Sequence, residues 1–362
     1  MKKLVFAFTL IALIGIIGIV LMAEVNAQPS AAKTAAPQKK KVIPRNLAIF
    51  LFDGVQIIDY TGPYEVFGQA HENGEHLFNV YTVGEKPGTI TTNMNMTVTP
   101  NYTFDNAPKP DIIVLPGGNV GPHRNNPKVI KWVQERANEA EYVMSVCNGA
   151  FYLGQAGLLD GLTATTFYGM IDDLKTLAPK AKIVRDQRFV DNGKIITTAG
   201  LSSGIDGALH LVEKIAGYGR AQEIALNMEY NWQPDSGYAR ASLADRYLRK
   251  VVGQGFDIPP DAGWKVLDQK GGRDNWEKNW EVRIDSPAPD VLKIIDAKLS
   301  EGWSKLNSTN AHGTAKSIWK FTDEDGKTWT AVSSIKLVEG QKSAYKLTIT
   351  LSRGDSSAQL RD

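Results

Sequence analysis

An apolar run, Tyr142-Val143-Met144-Ser145-Val146, passes into a helix-forming run from Asn148 to Leu159 with only Cys147 between them. The first run reads as a buried strand and the second as a helix, which leaves no room for a loop. A side chain on so sharp a strand-to-helix turn is pushed out of the sheet, and Gly149 lets the backbone pass close beneath it. Cys147 is therefore a candidate nucleophile, at a helix N-terminus whose N–H groups and macrodipole favour thiolate. The competing reading is a small apolar residue in a core, where most free cysteines lie.

The chain around this turn alternates strand and helix. Leu47 to Phe52 is a continuously apolar segment, as expected of a parallel strand covered on both faces. Asp53-Gly54 turns the chain, and Ile57 to Phe67 reads as a loop and helix start that Asp59 or Thr61 can cap, with Pro63 in the first turn. Further strands are expected at Phe78–Val83, Asn95–Thr99 and Ile112–Leu115. The last ends in Pro116-Gly117-Gly118, either an ordinary turn or a cradle of backbone N–H groups for an oxyanion. A helix over about 127–140 leads to the elbow strand. Short strands follow at 164–167, 182–184, 189–191 and 195–198, and a helix opens after Ala199-Gly200-Leu201-Ser202 and runs to about Ala216. The pattern predicts an α/β fold with a mostly parallel, doubly wound sheet and helices on both faces, which binds ligands beyond the carboxyl ends of its strands.

The N-terminus reads as a processing segment. Met1-Lys2-Lys3 is basic, Leu4 to Ala23 is apolar or small, and Val25-Asn26-Ala27 is a small-x-small site, so residues 1–27 are expected to be a signal peptide. The run is almost long enough to span a bilayer, which leaves an N-terminal membrane anchor at 4–23 open. Residues 28–45 have hardly any large apolar side chain and read as a disordered tether. The formal charge is +2 for all 362 residues. The signal carries two Lys and one Glu, and the tether four Lys and Arg45, so the folded body carries −4. A mildly acidic body offers no phosphate-binding face, and nucleic acid is not expected as a partner. With one cysteine there is no intramolecular disulfide, and an unpaired thiol in an oxidising compartment implies a specific use for Cys147.

Six ordered motifs then carry a resemblance over about 46–240. They are Phe52-Asp53-Gly54-Val55, Asp59-x-x-Gly62-Pro63-x-Glu65-Val66-Phe67, Leu115-Pro116-Gly117-Gly118, Ser145-Val146-Cys147-x-Gly149-Ala150, Gly157-Leu158-Leu159-Asp160-Gly161 and Thr198-Ala199-Gly200-x-Ser202-x-Gly204-Ile205-Asp206. Together they resemble the ThiJ/PfpI superfamily, within the flavodoxin-like class I glutamine amidotransferase-like fold, and its isonitrile hydratase-like branch. The resemblance implies Cys147 as nucleophile, Asp59 as its carboxylate partner, and the N–H groups of Gly118 and Asn148 as oxyanion donors. Gly117, Glu65 and Ser202 lie in the same motifs and join the substrate-binding candidates, Glu65 being the fallback carboxylate. Hydratases of this branch carry a threonine where this chain has Asn148, and many relatives a histidine where it has Phe167. No imidazole base is then evident beside the thiol: His210 sits on an apolar helix as a core histidine would, and the other downstream histidine is His312. What remains is a Cys–carboxylate pair in which protonated Asp59 gives a proton while Cys147 attacks a small electrophilic carbon. No helix-turn-helix follows the domain.

From about 275 the pattern changes to a small β-α-β-β-β unit, expected over 275–355. Its tryptophans, Trp276, Trp280, Trp303, Trp319 and Trp329, read as core. Asp323-Glu324-Asp325 reads as a hairpin turn, with calcium as the alternative. The ThiJ/PfpI-like domain is assigned to 46–255, and no cofactor and no metal are expected. The partners expected are a small-molecule substrate and, left open, a second copy in a homodimer. The chain is thus read as an exported Cys-dependent hydrolase or lyase, or alternatively as a small-ligand-binding or thiol redox-sensing module. Cleavage after Ala27 gives a mature N-terminus at Gln28. Intact-mass measurement of the expressed protein checks this, and Met1 retained on membrane-bound protein replaces cleavage with an anchor.

Overall fold

The computed structural model describes residues 42–354, apart from 254, 258 and 312. The expected signal peptide, most of the tether and His312 lie outside the described residues. Among the described residues no helix is long and apolar enough to cross a membrane.

The first part is a seven-stranded sheet. In chain order its strands are β1 (Arg45–Leu51), β2 (Phe78–Gly84), β3 (Tyr102–Thr103), β4 (Ile112–Leu115), β5 (Tyr142–Val146), β6 (Phe189–Asp191) and β7 (Ile195–Thr198). They lie side by side as β6-β7-β5-β4-β1-β2-β3, all parallel except the β6–β7 pair. The central strands β1, β4 and β5 are buried along almost their whole length, which is why they read as unbroken apolar runs. Helix α1 (Ile57–Gly68) packs on one face of the sheet, and α2 (Pro127–Glu139) and α3 (Ala150–Gln155) cover the other, where Phe50 meets Trp132 at 5.9 Å and Tyr152 at 5.6 Å. Helix α2 buries Val129, Trp132, Val133 and Ala137 at helical spacing, begins at Pro127 and is capped by the Asn126 side chain. Helix α4 (Ser202–Ala216) lies beside α1. The order of strands reverses at β1, between β2 and β4, and the residues that follow β1, β4, β5 and β7 gather at that edge.

Some expectations change in detail. Strand 95–99 shrinks to Thr97–Val98, paired with Ile90–Thr91 outside the main sheet. Strand 164–167 shrinks to Thr163–Ala164, paired with Lys182–Ile183, because Thr165 N–H and the Thr166 hydroxyl turn instead to Thr197 Oγ1 and Cys147 O. The helix expected over 148–159 is a 3-10 turn, Cys147–Gly149, followed by the six residues of α3.

The second part begins with α5 (Asp245–Val252) and a sheet of β8 (Gly263–Gly271), β9 (Asn275–Arg283), β10 (Ser304–Ala311), β11 (Thr314–Thr322), β12 (Thr328–Leu337) and β13 (Ala344–Arg353). The order is β8-β9-β13-β12-β11-β10, antiparallel throughout, and α6 (Ala288–Leu299) packs on β11 and β12. The five tryptophans are all buried in this core, and the Asp323 carboxylate closes its hairpin by accepting from the N–H groups of Asp325 and Lys327. The two outermost strands, β8 and β10, have almost no buried residue, so neither alternates apolar and polar in the sequence.

Leu243, Tyr247 and Leu248 pack into the same core as Trp276, Trp303 and Trp329. Contacts from the β11–β12 and β8–β9 turns back to the first part include polar ones, Arg185 to Glu324 at 3.7 Å and Arg273 Nη2 to Asp186 O at 3.3 Å. We therefore propose that the first domain ends near 239. A 46–239 fragment is expected to be soluble and cooperatively folded by thermal denaturation, whereas 46–255 is expected to self-associate through the uncovered face of α5. A soluble, monomeric 46–255 with helical α5 returns the boundary to 255.

Candidate active site

Val146 leaves β5 in an extended conformation, and Cys147 turns at φ 58°, a region that costs a non-glycine residue energy. Gly149 makes the turn sterically feasible: a Cβ there would lie 1.9 Å from Leu115 O at the end of β4. The strained turn presents the thiol at the carboxyl edge while leaving the residue only 7 % exposed.

Asp59 sits in the first turn of α1 but makes no cap, and Pro63 lies inside the helix rather than in its first turn. The Asp59 carboxyl, with no exposed surface, accepts from Gly117 N–H (3.1 Å) after β4 and from Leu201 N–H (3.1 Å) after β7, and it hydrogen-bonds the Cys147 thiol. Strand β4 separates β1 from β5, so Asp59 must reach across it. The reach depends on Gly117, whose Cβ would fall 2.3 Å from Asn148 Oδ1, 2.8 Å from Asp59 Oδ2 and 2.8 Å from Cys147 Cβ.

Burial pushes the Asp59 carboxyl up to about 6, against the lowering effect of its hydrogen bonds from Leu201, Cys147 and Gly117. Burial also raises the Cys147 thiol well above its ordinary range, and the Asp59 charge raises it further, while the Asn148 N–H favours thiolate. This corrects the expectation that a helix N-terminus makes the thiol acidic: only one N–H and a six-residue helix oppose burial and a carboxylate.

The other candidates separate. The Gly118 N–H, expected as a free oxyanion donor, donates to Asn148 Oδ1 at 2.8 Å, and Asn148 Nδ2 donates back to Gly118 O at 2.8 Å. Glu65 is exposed and accepts from Gln69 Nε2, so it is no fallback carboxylate for the thiol. The Ser202 hydroxyl accepts from Arg188, which also pairs with Asp206. His210 is tied to Asp191 at 2.9 Å, away from the site. Phe167 borders the thiol: the point a Gly200 Cβ would occupy is 3.2 Å from Cys147 Cβ and 3.3 Å from Phe167 Cδ2. Leu201 carried no signal in the sequence, because its backbone N–H does the work. An open cleft of about 640 Å³ begins at Gly118 and Asn148 and is also lined by Arg124, Phe151 and Asp173.

The family model described as the DJ-1/PfpI family matches residues 45–214. An isonitrile hydratase of Pseudomonas putida is 37% identical over 194 residues, 53% of this chain and 82% of that protein. The chain belongs to the DJ-1/PfpI family. A deglycase of Pyrococcus horikoshii is 34% identical over 128 residues, 34% of this chain and 77% of that protein. The crystal structure of a ThiJ/PfpI family protein from Pseudomonas syringae aligns with a TM-score of 0.51 at 26% identity, covering 62% of this chain and 91% of that one. The family match ends at 214, so the β-rich second part of this DJ-1/PfpI protein lies outside it.

Gly117→Ala puts a methyl among Asp59, Asn148 and Cys147, and is expected to cost about 1–3 kcal/mol of stability in urea titration. An unchanged midpoint means that these three side chains do not converge on Gly117.

Proposed function

We propose that the protein is a Cys-dependent enzyme acting on a small molecule with an electrophilic carbon, with isonitrile hydration as the nearest chemistry. The observation that carries this reading is the hydrogen bond between the buried Asp59 carboxyl and the Cys147 thiol, with no imidazole, among the described residues, in the groups that act on either. Such a pair shares one proton over a wide pH range, and its reactive form is the carboxylic acid beside the thiolate. With an isonitrile, R–N≡C, the sulfur bonds the terminal carbon and the Asp59 proton goes to the same carbon, giving R–N=CH–S–Cys147. Water then adds to that carbon. Asp59 passes one water proton to the nitrogen and takes the other as the C–S bond breaks, which releases R–NH–CHO and restores the acid and thiolate.

Relatives named for hydration and for deglycation support small-molecule chemistry at a cysteine. Redox sensing by Cys147 is disfavoured, since sensor thiols are exposed and acidic and this one is neither. In turnover, Gly118 N–H is available to a developing negative charge only if the Asn148 side chain swings away from it.

The test is the pH dependence of Cys147 alkylation by iodoacetamide. In wild type the rate is expected to rise as pH passes about 6, where the pair loses its first proton, and then to level off. Asp59→Asn removes the shared proton, so the plateau is replaced by a rise of about tenfold per pH unit toward the thiol's own titration. Superimposable curves for the two proteins overturn the pair, and Cys147→Ser is expected to abolish turnover of a simple alkyl isonitrile.

A further inference from the structure

Outside the thiol site, three cations converge where the β-rich part meets the first domain. Arg240 on a 3-10 turn (Arg240–Ser242), Arg249 on α5 and Lys278 on β9 line a cavity of about 200 Å³ with Asp245, Gln269 and Trp280. Asp245 is the one acid in the lining. It is buried and already engaged, held by Arg240 through two hydrogen bonds of 2.6 Å and by Arg249 at 3.2 Å. Both guanidinium groups also lie over the ring of Tyr168 from the first domain, at 4.7 and 4.4 Å, and Lys278 Nζ lies 5.0 Å from the Trp280 ring centre.

An Arg–Asp–Arg cluster by itself is an ordinary structural ion pair. Lys278 is what that reading leaves over. Among the described residues no carboxylate pairs with its ammonium, and the charges that face it are Asp245, Arg240 and Arg249. Burial, together with the two arginines and against the attraction of Asp245, lowers its affinity for a proton. Arg249 Nε faces Asp245 Oδ2 at 3.2 Å without closing a hydrogen bond. The cavity therefore holds an excess of two positive charges, one of them a Lys278 ammonium that no carboxylate pairs among the described residues, beside the Trp280 ring.

We propose that this cavity binds a small oxyanion of phosphate size, either free or as the phosphate group of a small metabolite. Planar guanidinium forks and one ammonium point charge are the side chains that recognise such a group. Aromatic walls hold the cations in place with little entropy left to lose on binding. The ligand neutralises the excess charge and gives the Lys278 ammonium an anionic partner, and the volume admits one tetrahedral oxyanion with a short substituent.

The full chain is titrated calorimetrically with inorganic phosphate and, separately, with glycerol phosphate, against chloride at matched ionic strength. Saturable one-to-one binding of either, in the millimolar range or tighter, is expected. Binding of inorganic phosphate assigns the free ion; binding of glycerol phosphate alone assigns the organic monoester. Lys278→Gln is expected to weaken binding about tenfold, and Lys278→Arg to retain it. Lys278 lies outside the thiol site, so Cys147 alkylation is expected to be unchanged in both variants. No saturation by either phosphate, or equal affinity in Lys278→Gln, overturns the proposal. Should Lys278→Gln fail to fold by circular dichroism, loss of binding in a folded Lys278→Arg overturns it too.

Discussion

The site depends on one buried carboxyl. Asp59 has no contact with solvent, and an ionised group there loses hydration that the protein must replace. The replacements come from three separate strand ends: Gly117 N–H after β4, Leu201 N–H after β7 and the Cys147 thiol after β5. A group that needs donors from three segments also fixes those segments relative to one another. The positive φ at Cys147 and at Leu201 is the local strain by which the chain meets that demand.

Asn148 adds a second layer of constraint. Its amide forms a closed pair with the backbone of Gly118 and occupies that N–H at the rim of the cleft. A threonine, as in the hydratases that the sequence resembles, has one hydroxyl oxygen in place of the amide's separate donor and acceptor atoms, so it does not reproduce this two-atom pairing. The Asn148 side chain thus stands at the rim of the cleft on side-chain hydrogen bonds, while Asp59 is held by backbone N–H groups.

The parts of this arrangement that the sequence displayed are those with local causes. The elbow is legible because an apolar strand abuts a helix at one residue, and the sheet because buried parallel strands are continuously apolar. Asp59 as a partner of the thiol came from the resemblance; its local pattern read more readily as a helix cap. Glu65 failed as a fallback for a geometric reason: six residues along a helix turn the side chain about 120° from Asp59, so when one faces the sheet the other faces water. The edge strands β8 and β10 were invisible because strands with both faces exposed need no alternation. The helix α5 carried no reading of its own in the sequence, and its packing with the tryptophan core is visible only in the structure.

The same burial that couples acid and thiol also sets a cost. The folded Asp59 titrates at about 6, above its usual 3.8, so the protonated form is the one the fold prefers. The stability this preference supplies is complete below the unfolded value and is lost as pH rises through about 6, an amount on the order of 3 kcal/mol. At neutral pH the protein therefore holds an ionised carboxylate where an apolar or amide side chain would be more comfortable. A purely structural residue would have no reason to keep that arrangement, since a helix start can be capped by a side chain that stays in water. A proton kept ready beside a buried thiol does have a use, and the strain stored at Cys147, the missing Cβ at Gly117 and the raised carboxyl all serve the same pair.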